Sequence, residues 1–342
     1  IVSMHYVTSL TETGGRMIGV ELFAGPGGMG LGAEQAGVRT VGIEWDANAV
    51  ATRVAAGLAT IHGDVARYGP ADVPGSILTA GPPCQTFTVA GSGAGRAVLD
   101  DILAAVKKMG AREQVDAASF GDERNGLALE PLRWILEAAD DGSPYEAVVL
   151  EQVQQVQQVQ QVQQVQQVWN AYAEILRAEG YEVATGVLRT EQYGLPQTRR
   201  RAVLVARLGI PVALPTPTHR PYRKGVPQHE GDPGLLPWVS MGEALNRDEP
   251  FTVISNYGTG GDPRNRGRRT SREPAATVTG KISRFRIVDE AEREMPRFTH
   301  GEAGVLQGFP VDWPWSGNDI AQQIGNACPV PLAAALIRAV TT

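Results

Sequence analysis

The stretch from Met17 to Ala36 constrains the fold most: the mostly apolar run MIGVELF passes directly into a glycine-rich loop, and a helical pattern opens from Leu31 to Ala36. Such a run, bounded by a turn signal, reads as a buried strand, and a strand–loop–helix unit calls for a sheet with helices packed on it. Weaker copies follow. Thr40 to Ile43 reads as a strand ending at Glu44, Asp46 to Ala56 as a helix, and Ile77 to Ala80 as a short strand running into Gly81-Pro82-Pro83-Cys84. Leu129 to Ala139 has a helical pattern, Ala147 to Leu150 is a strand ending at Glu151, and Ala202 to Ala206 is another strand. Alternating strands and helices imply a parallel sheet covered on both faces, with functional residues at the carboxyl ends of its strands. Glu44, Cys84 and Glu151 occupy such ends.

The chain has 342 residues, 42% of them hydrophobic, enough for one large domain and a small one. Composition shifts near Pro211: the stretch to Pro274 is rich in Pro, Gly and Arg, with short β-prone pieces such as Thr252 to Ser255. A helical pattern resumes at His300 to Phe309, and Asp319 to Val340 reads as a turn and a final helix returning to the first domain. The expected division is therefore 17–210, 211–294 and a returning 295–342. Ile1 to Arg16 carries no periodicity and stays outside the fold argument. No stretch approaches the roughly 20 uninterrupted apolar residues of a bilayer span, and no basic-then-apolar leader opens the chain, so a cytoplasmic protein without a membrane partner is expected.

Cys84 and Cys328 lie far apart with no CxxC companion, and the five histidines are scattered, so neither a disulfide framework nor a metal site is expected. The net charge of −6 hides local basic clusters. Between Asp262 and Arg286 eight bases face two acids; Arg199 to Arg201 form a second cluster, and Arg220, Arg223 and Lys224 a third. Together they favour a groove for a polyanion. Gln152 to Val168 is a repeated Val-Gln-Gln triplet. A three-residue step falls about 60° short of a helical turn, so its valines wind around a helix without forming one apolar face.

Gly25-Pro26-Gly27-Gly28-Met29-Gly30 satisfies GxGxxG, and Glu44 lies 19 residues beyond Gly25, where an acid can accept from ribose hydroxyls. Asp64 could accept from an adenine amino group. By itself this pocket admits NAD and S-adenosylmethionine alike. Cys84 separates them, because hydride transfer needs no thiol, whereas Gly81-Pro82-Pro83-Cys84-Gln85 presents one on a stiff turn at a strand's end.

FAGPGG, EWD, GD, GPPCQTFTVAG, LEQV, GLPQTRRR and QQIGNA occur in the order of the cytosine-5 DNA methyltransferase motifs, spanning Met17 to Leu336. The chain resembles the bacterial restriction-modification type. The resemblance implies an α/β fold: a Rossmann-like S-adenosylmethionine-dependent methyltransferase sheet with a second, smaller target-recognition domain. It implies that Cys84 adds to C6 of a flipped cytosine, making C5 nucleophilic, while Glu151 hydrogen-bonds N3 and the amino group. Arg199 and Arg201 would approach the cytosine and its phosphate. Phe23, Gly25, Gly28, Glu44, Trp45, Asp64, Pro83 and Asn326 would bind the cofactor, and Gln85, Gln197, Arg264 and Arg268 the DNA. Gly91, Gly93 and Gly95 suggest a mobile lid over Thr86 to Arg96.

One departure stands out: Glu151-Gln152-Val153 replaces the usual Glu-Asn-Val, which puts the loop-bracing role of the Asn in doubt. The implied partners are double-stranded DNA and a cognate restriction endonuclease that shares the site without binding the enzyme, itself a monomer. The alternatives are a tRNA cytosine methyltransferase, an NAD-dependent dehydrogenase and a catalytically silent DNA-binding protein.

Overall fold

The computed structural model describes residues 17–83, 93–115, 126–153, 159–247, 249–258 and 266–342, with backbone alone at 93–99, 153, 159–166 and 256–258. Its larger sheet has seven strands: β1 (Ile18–Leu22), β2 (Arg39–Glu44), β3 (Thr60–His62), β4 (Ile77–Ala80), β5 (Ala147–Val153), β6 (Tyr181–Arg189) and β7 (Arg200–Leu208). They lie in the order β3-β2-β1-β4-β5-β7-β6. β1 to β5 run parallel, and β7 is antiparallel to both its neighbours. The strand order reverses at β1 and β4, so a crevice opens beyond their carboxyl ends.

Alternation along β5 shows how both faces are covered. Val148 and Leu150 join a core with Ile102 of α3 (Gly93–Gly110), Ile135 of α4 (Glu130–Asp140) and Leu176 of α5 (Val159–Ala178). Ala147 and Val149 face the opposite core, with Ala33 of α1 (Gly28–Gln35) and Leu332, Leu336 and Val340 of α9 (Val330–Thr341). Each fully buried Leu or Ile contributes on the order of 1.5–3 kcal/mol. A Cβ on Gly32 would lie 2.5 Å from the Ala333 Cβ, so a glycine lets α1 and α9 touch. The end of the chain thus closes over its first helix. α2 (Ala47–Ala55) opens where Asp46 accepts from the Asn48 and Ala49 N–H groups.

The smaller sheet is antiparallel, β11-β10-β8-β9, from β8 (Thr252–Gly258), β9 (Arg266–Thr270), β10 (Arg286–Val288) and β11 (Glu294–Met295). Its core of Phe251, Val253, Val278, Phe285 and Ile287 also takes in Met241 of α6 (Met241–Leu245), Ala303 of α7 (His300–Val305) and Ile324 of α8 (Ile320–Asn326).

The expected strands correspond to β1, β2, β4, β5 and β7, whereas β3 and β6 lie outside that expectation and the sheet is mixed because β7 runs antiparallel. Gly93 and Gly95 lie in α3 and not in a loop; residues 86–92 of the expected lid lie outside the described residues. The later part of the Val-Gln-Gln repeat forms the start of α5.

Candidate active site

β1 delivers the chain into a loop that turns left-handed three times, at Phe23 (φ 57°), Gly25 (φ 53°) and Gly27 (φ 105°). A non-glycine residue there costs roughly 1–3 kcal/mol, so the surroundings must impose it. Glu44 supplies part of that constraint: its Oε2 accepts from the Gly25 N–H and its Oε1 from the Asp46 N–H, each at 2.7 Å. Each carboxylate oxygen keeps a further lone pair for a ligand. A Cβ on Gly25 would meet nothing within 4 Å, whereas one on Gly28 would lie 2.1 Å from the Cys328 carbonyl oxygen. Gly25 therefore borders open space and Gly28 is closed in by packing.

That space is a cleft lined by Glu21, Phe23, Gly25, Gly81, Glu151 and Asn326. Trp45, next to Glu44 in the chain, is 69% exposed and offers a bare aromatic face. Asp64 caps the next turn, accepting from the Ala66 N–H at 3.0 Å. Asn326 is exposed at the end of α8 and accepts from Gln322 at 2.9 Å. An open glycine loop, a carboxylate with spare acceptors and an aromatic face suit an adenosine-bearing ligand.

Glu151 reaches the cleft from the carboxyl end of β5. It is buried and forms an ion pair with Arg201 of β7. Burial pushes its carboxyl above the usual range, against the opposing pull of Arg201. Gln152, also buried, donates from Nε2 to the Pro82 carbonyl oxygen at 3.0 Å. The glutamine thus supplies the brace that its replacement of asparagine put in doubt, and it holds the Pro82-Pro83 turn beside Glu151. Pro83 is half-buried at the end of that turn. Cys84, Gln85 and Arg264 lie outside the described residues.

The three polar residues of Gln197-x-Arg199-x-Arg201 separate. Gln197 is fully buried, donating to Leu306 O at 2.8 Å and Gln307 Oε1 at 3.0 Å and accepting from the Val278 N–H at 2.7 Å. Its amide is engaged inside the protein, where it joins the start of β7 to the small sheet and to α7. Arg199 is likewise internal, donating to Val278 O at 2.6 Å and Gly325 O at 2.8 Å, so it braces the Asn326 turn and does not itself reach the cleft floor. Arg201 alone meets Glu151. Period-two alternation explains why Arg199 and Arg201 are buried while Arg200 is exposed. Arg268 is exposed on β9 and pairs with Glu292.

Sequence reasoning missed three residues here. Glu21 lines the cleft and pairs with Arg53 at 3.0 Å. Cys328 also lines it; burial and the nearby Glu151 push its thiol up, so it stays protonated.

Sheets of this strand order, with a reversed penultimate strand and a ligand loop after β1, are those of Rossmann-like, S-adenosylmethionine-dependent methyltransferases. Among solved structures, a DNMT2 variant from Spodoptera frugiperda superposes with a TM-score of 0.63 at 14% identity, covering 95% of this chain and 100% of that one. A prophage DNA modification methyltransferase from E. coli gives 0.58 at 16% identity, covering 94% and 98%. The sequence itself goes further, because it matches the family described as C-5 cytosine-specific DNA methylase over residues 17–220 and 239–342. The chain belongs to that family. Its relatives include the type II methyltransferases M.NlaX of Neisseria lactamica, 29% identical over 93% of this chain and 94% of the relative, and M.Sau96I of Staphylococcus aureus, 27% identical over 92% and 73%.

Proposed function

We propose that this DNA cytosine-5 methyltransferase modifies one cytosine within a short duplex site, with Cys84 as nucleophile and S-adenosylmethionine as methyl donor in the cleft beside Glu44. The observation that carries this reading is the cleft itself: one wall is the left-handed glycine loop tied to Glu44, and the other is buried Glu151 next to the braced Pro82-Pro83 turn.

Cytosine C5 is too weak a nucleophile to take a methyl group unaided. The Cys84 thiolate adds to C6 and places electron density on C5; after transfer the C5 proton is lost and the thiolate leaves. A free thiol with a pKa of about 8.5 is mostly protonated at neutral pH, so it needs a polarising site. Glu151 supports the addition: raised by burial, it can hold a proton to donate to N3, and Arg201 fixes its orientation. Bound in the cleft, S-adenosylmethionine supplies an electrophilic methyl group. Phe23, Gly25, Glu44, Trp45, Asp64, Pro83 and Asn326 would hold it, with Gly28 supporting the loop by its packing against Cys328.

The base must leave the duplex to reach Glu151, at a cost of a few kcal/mol that pocket contacts offset. Residues 17–210 and 295–342 form the catalytic unit in this reading, and 211–294 the recognition unit, where Arg268 and Arg264 contact DNA alongside Gln85. The enzyme acts as a cytoplasmic monomer, and a restriction endonuclease of the same specificity shares its site without binding it.

The test is transfer of labelled methyl from S-adenosylmethionine to duplex DNA of mixed sequence, with tRNA and Cys84→Ala run alongside. Label in DNA that disappears with Cys84→Ala, while DNA binding persists, is the expected result. Label retained in the variant removes the nucleophile, and label in tRNA alone removes the substrate.

A further inference from the structure

Arg53 has no part in the reading above, yet it is fully buried directly beneath the cofactor loop. Its Nη1 donates to Glu21 Oε2 at 3.0 Å and to the Ala24 carbonyl oxygen at 3.1 Å; its Nε donates to Thr60 Oγ1 at 3.1 Å and its Nη2 to Ala59 O at 3.4 Å. The guanidinium therefore ties α2, β1, the loop and the entry to β3 into one joint. The backbone is built to admit it. A Cβ on Gly42, in the middle of β2, would lie 2.0 Å from Nη2, and one on Gly30 would lie 3.1 Å from Glu21 Oε2.

We propose that Arg53 is a positioning residue for the cofactor: paired with Glu21, its guanidinium holds the Ala24 carbonyl and with it the left-handed turn on which the cofactor lies. This rests on the reading that the cleft takes S-adenosylmethionine. Ala24 sits between Phe23 and Gly25, both left-handed, and its carbonyl accepts from Arg53 on one side and from the Gly27 N–H at 3.3 Å on the other. Its N–H donates to Ile43 O at 3.1 Å. With Ala24 clamped, the Gly25 N–H points at Glu44. Without Arg53 the 24–25 peptide can rotate, and Glu44 then loses the bond that aims its carboxylate. Glu21 makes the buried guanidinium tolerable, since an unpaired charge there would be expelled. The two glutamates thus act from opposite sides of one loop: Glu44 holds its N–H, and Glu21, through Arg53, its carbonyl.

A merely structural ion pair would affect folding and nothing else, so the test separates the two. Arg53→Met leaves Glu21 alone in the interior and should lower both Tm and cofactor affinity. The double variant Arg53→Met with Glu21→Gln removes both charges, and its Tm should recover most of the loss. Its Kd and KM for S-adenosylmethionine should stay raised about tenfold or more, with kcat at saturating cofactor and DNA affinity changed far less. Arg53→Lys keeps a paired charge without the planar fork and should raise the cofactor KM by roughly fivefold with little change in Tm. A double variant, or a lysine variant, that folds and binds the cofactor as the wild type does overturns the proposal alone. Wild-type protein that fails to bind S-adenosylmethionine by calorimetry overturns the reading of the cleft and this inference with it.

Discussion

Arginines work in two different settings in this molecule. Beneath the cofactor loop and at the end of β5, Arg53 and Arg201 are almost wholly enclosed and each faces a buried glutamate. On the small sheet, Arg268 and Arg286 keep 46% and 45% of their side chains exposed, and their partners Glu292 and Glu294 are more exposed still. An enclosed pair is a fixed device: removing one member strands a charge in a poor solvent, at a cost of about 3–5 kcal/mol. An exposed pair is worth about 0–1 kcal/mol and can exchange its partner for a phosphate. The enclosed pairs therefore hold geometry, whereas the exposed pairs of the small sheet are free to exchange partners.

The sharpest way to break this comparison is Glu151→Gln. If Glu151 holds the base at N3 as proposed, the substitution should lower single-turnover methyl transfer by about 10²-fold or more. Arg201→Met, which leaves Glu151 alone in the interior, should cost several kcal/mol in urea unfolding. An Arg201→Met variant as stable as the wild type would show that this pair behaves like those on the surface. The opposite corner is Arg268→Ala combined with Arg286→Ala. Stability should stay within about 1 kcal/mol, while the slope of log K for DNA against log salt should shrink by about 1 for each phosphate no longer neutralised. An unchanged slope would remove both residues from the DNA face.

How much of this was legible in the sequence follows the same division. Glu44 and Glu151 were readable because they end apolar strands, and the strand–loop–helix start was readable because β1 is buried on both faces. β6 was not, since it is a half-buried edge strand without clean alternation. α3 was masked by glycines at its start, which read as loop, although the Ala- and Leu-containing sequence beyond them sustains the helix. Nothing near Gln197 in sequence announces its burial, because its partners Val278 and Leu306 lie 81 and 109 residues away. Arg53 did leave a trace: Gly42 sits between Val41 and Ile43 in the buried middle of β2, and a strand glycine often marks close approach by another group.

Glu191 stands where the two settings meet, and it gives the smallest of the expected effects. It is buried in the turn before the 194–199 segment, among Arg189 and Arg200 of the large sheet and Arg269 of the small one, and its Oε2 has no hydrogen-bond partner among the described residues. Burial raises its carboxyl above the usual range and the three arginines only oppose that shift. The folded protein therefore favours the protonated form more than the unfolded chain does. The group's contribution to stability is fully present below the ordinary carboxylate range and is lost as pH rises through the folded value. Glu191→Gln should then match the wild type in stability near pH 4 and exceed it by roughly 1 kcal/mol at pH 8, measured by urea unfolding across that range. A difference that stays flat with pH would mean that the arginines hold Glu191 charged at little cost. The junction would then belong with the exposed, exchangeable pairs of the small sheet, and the boundary between the two settings would lie deeper, at Glu151 itself.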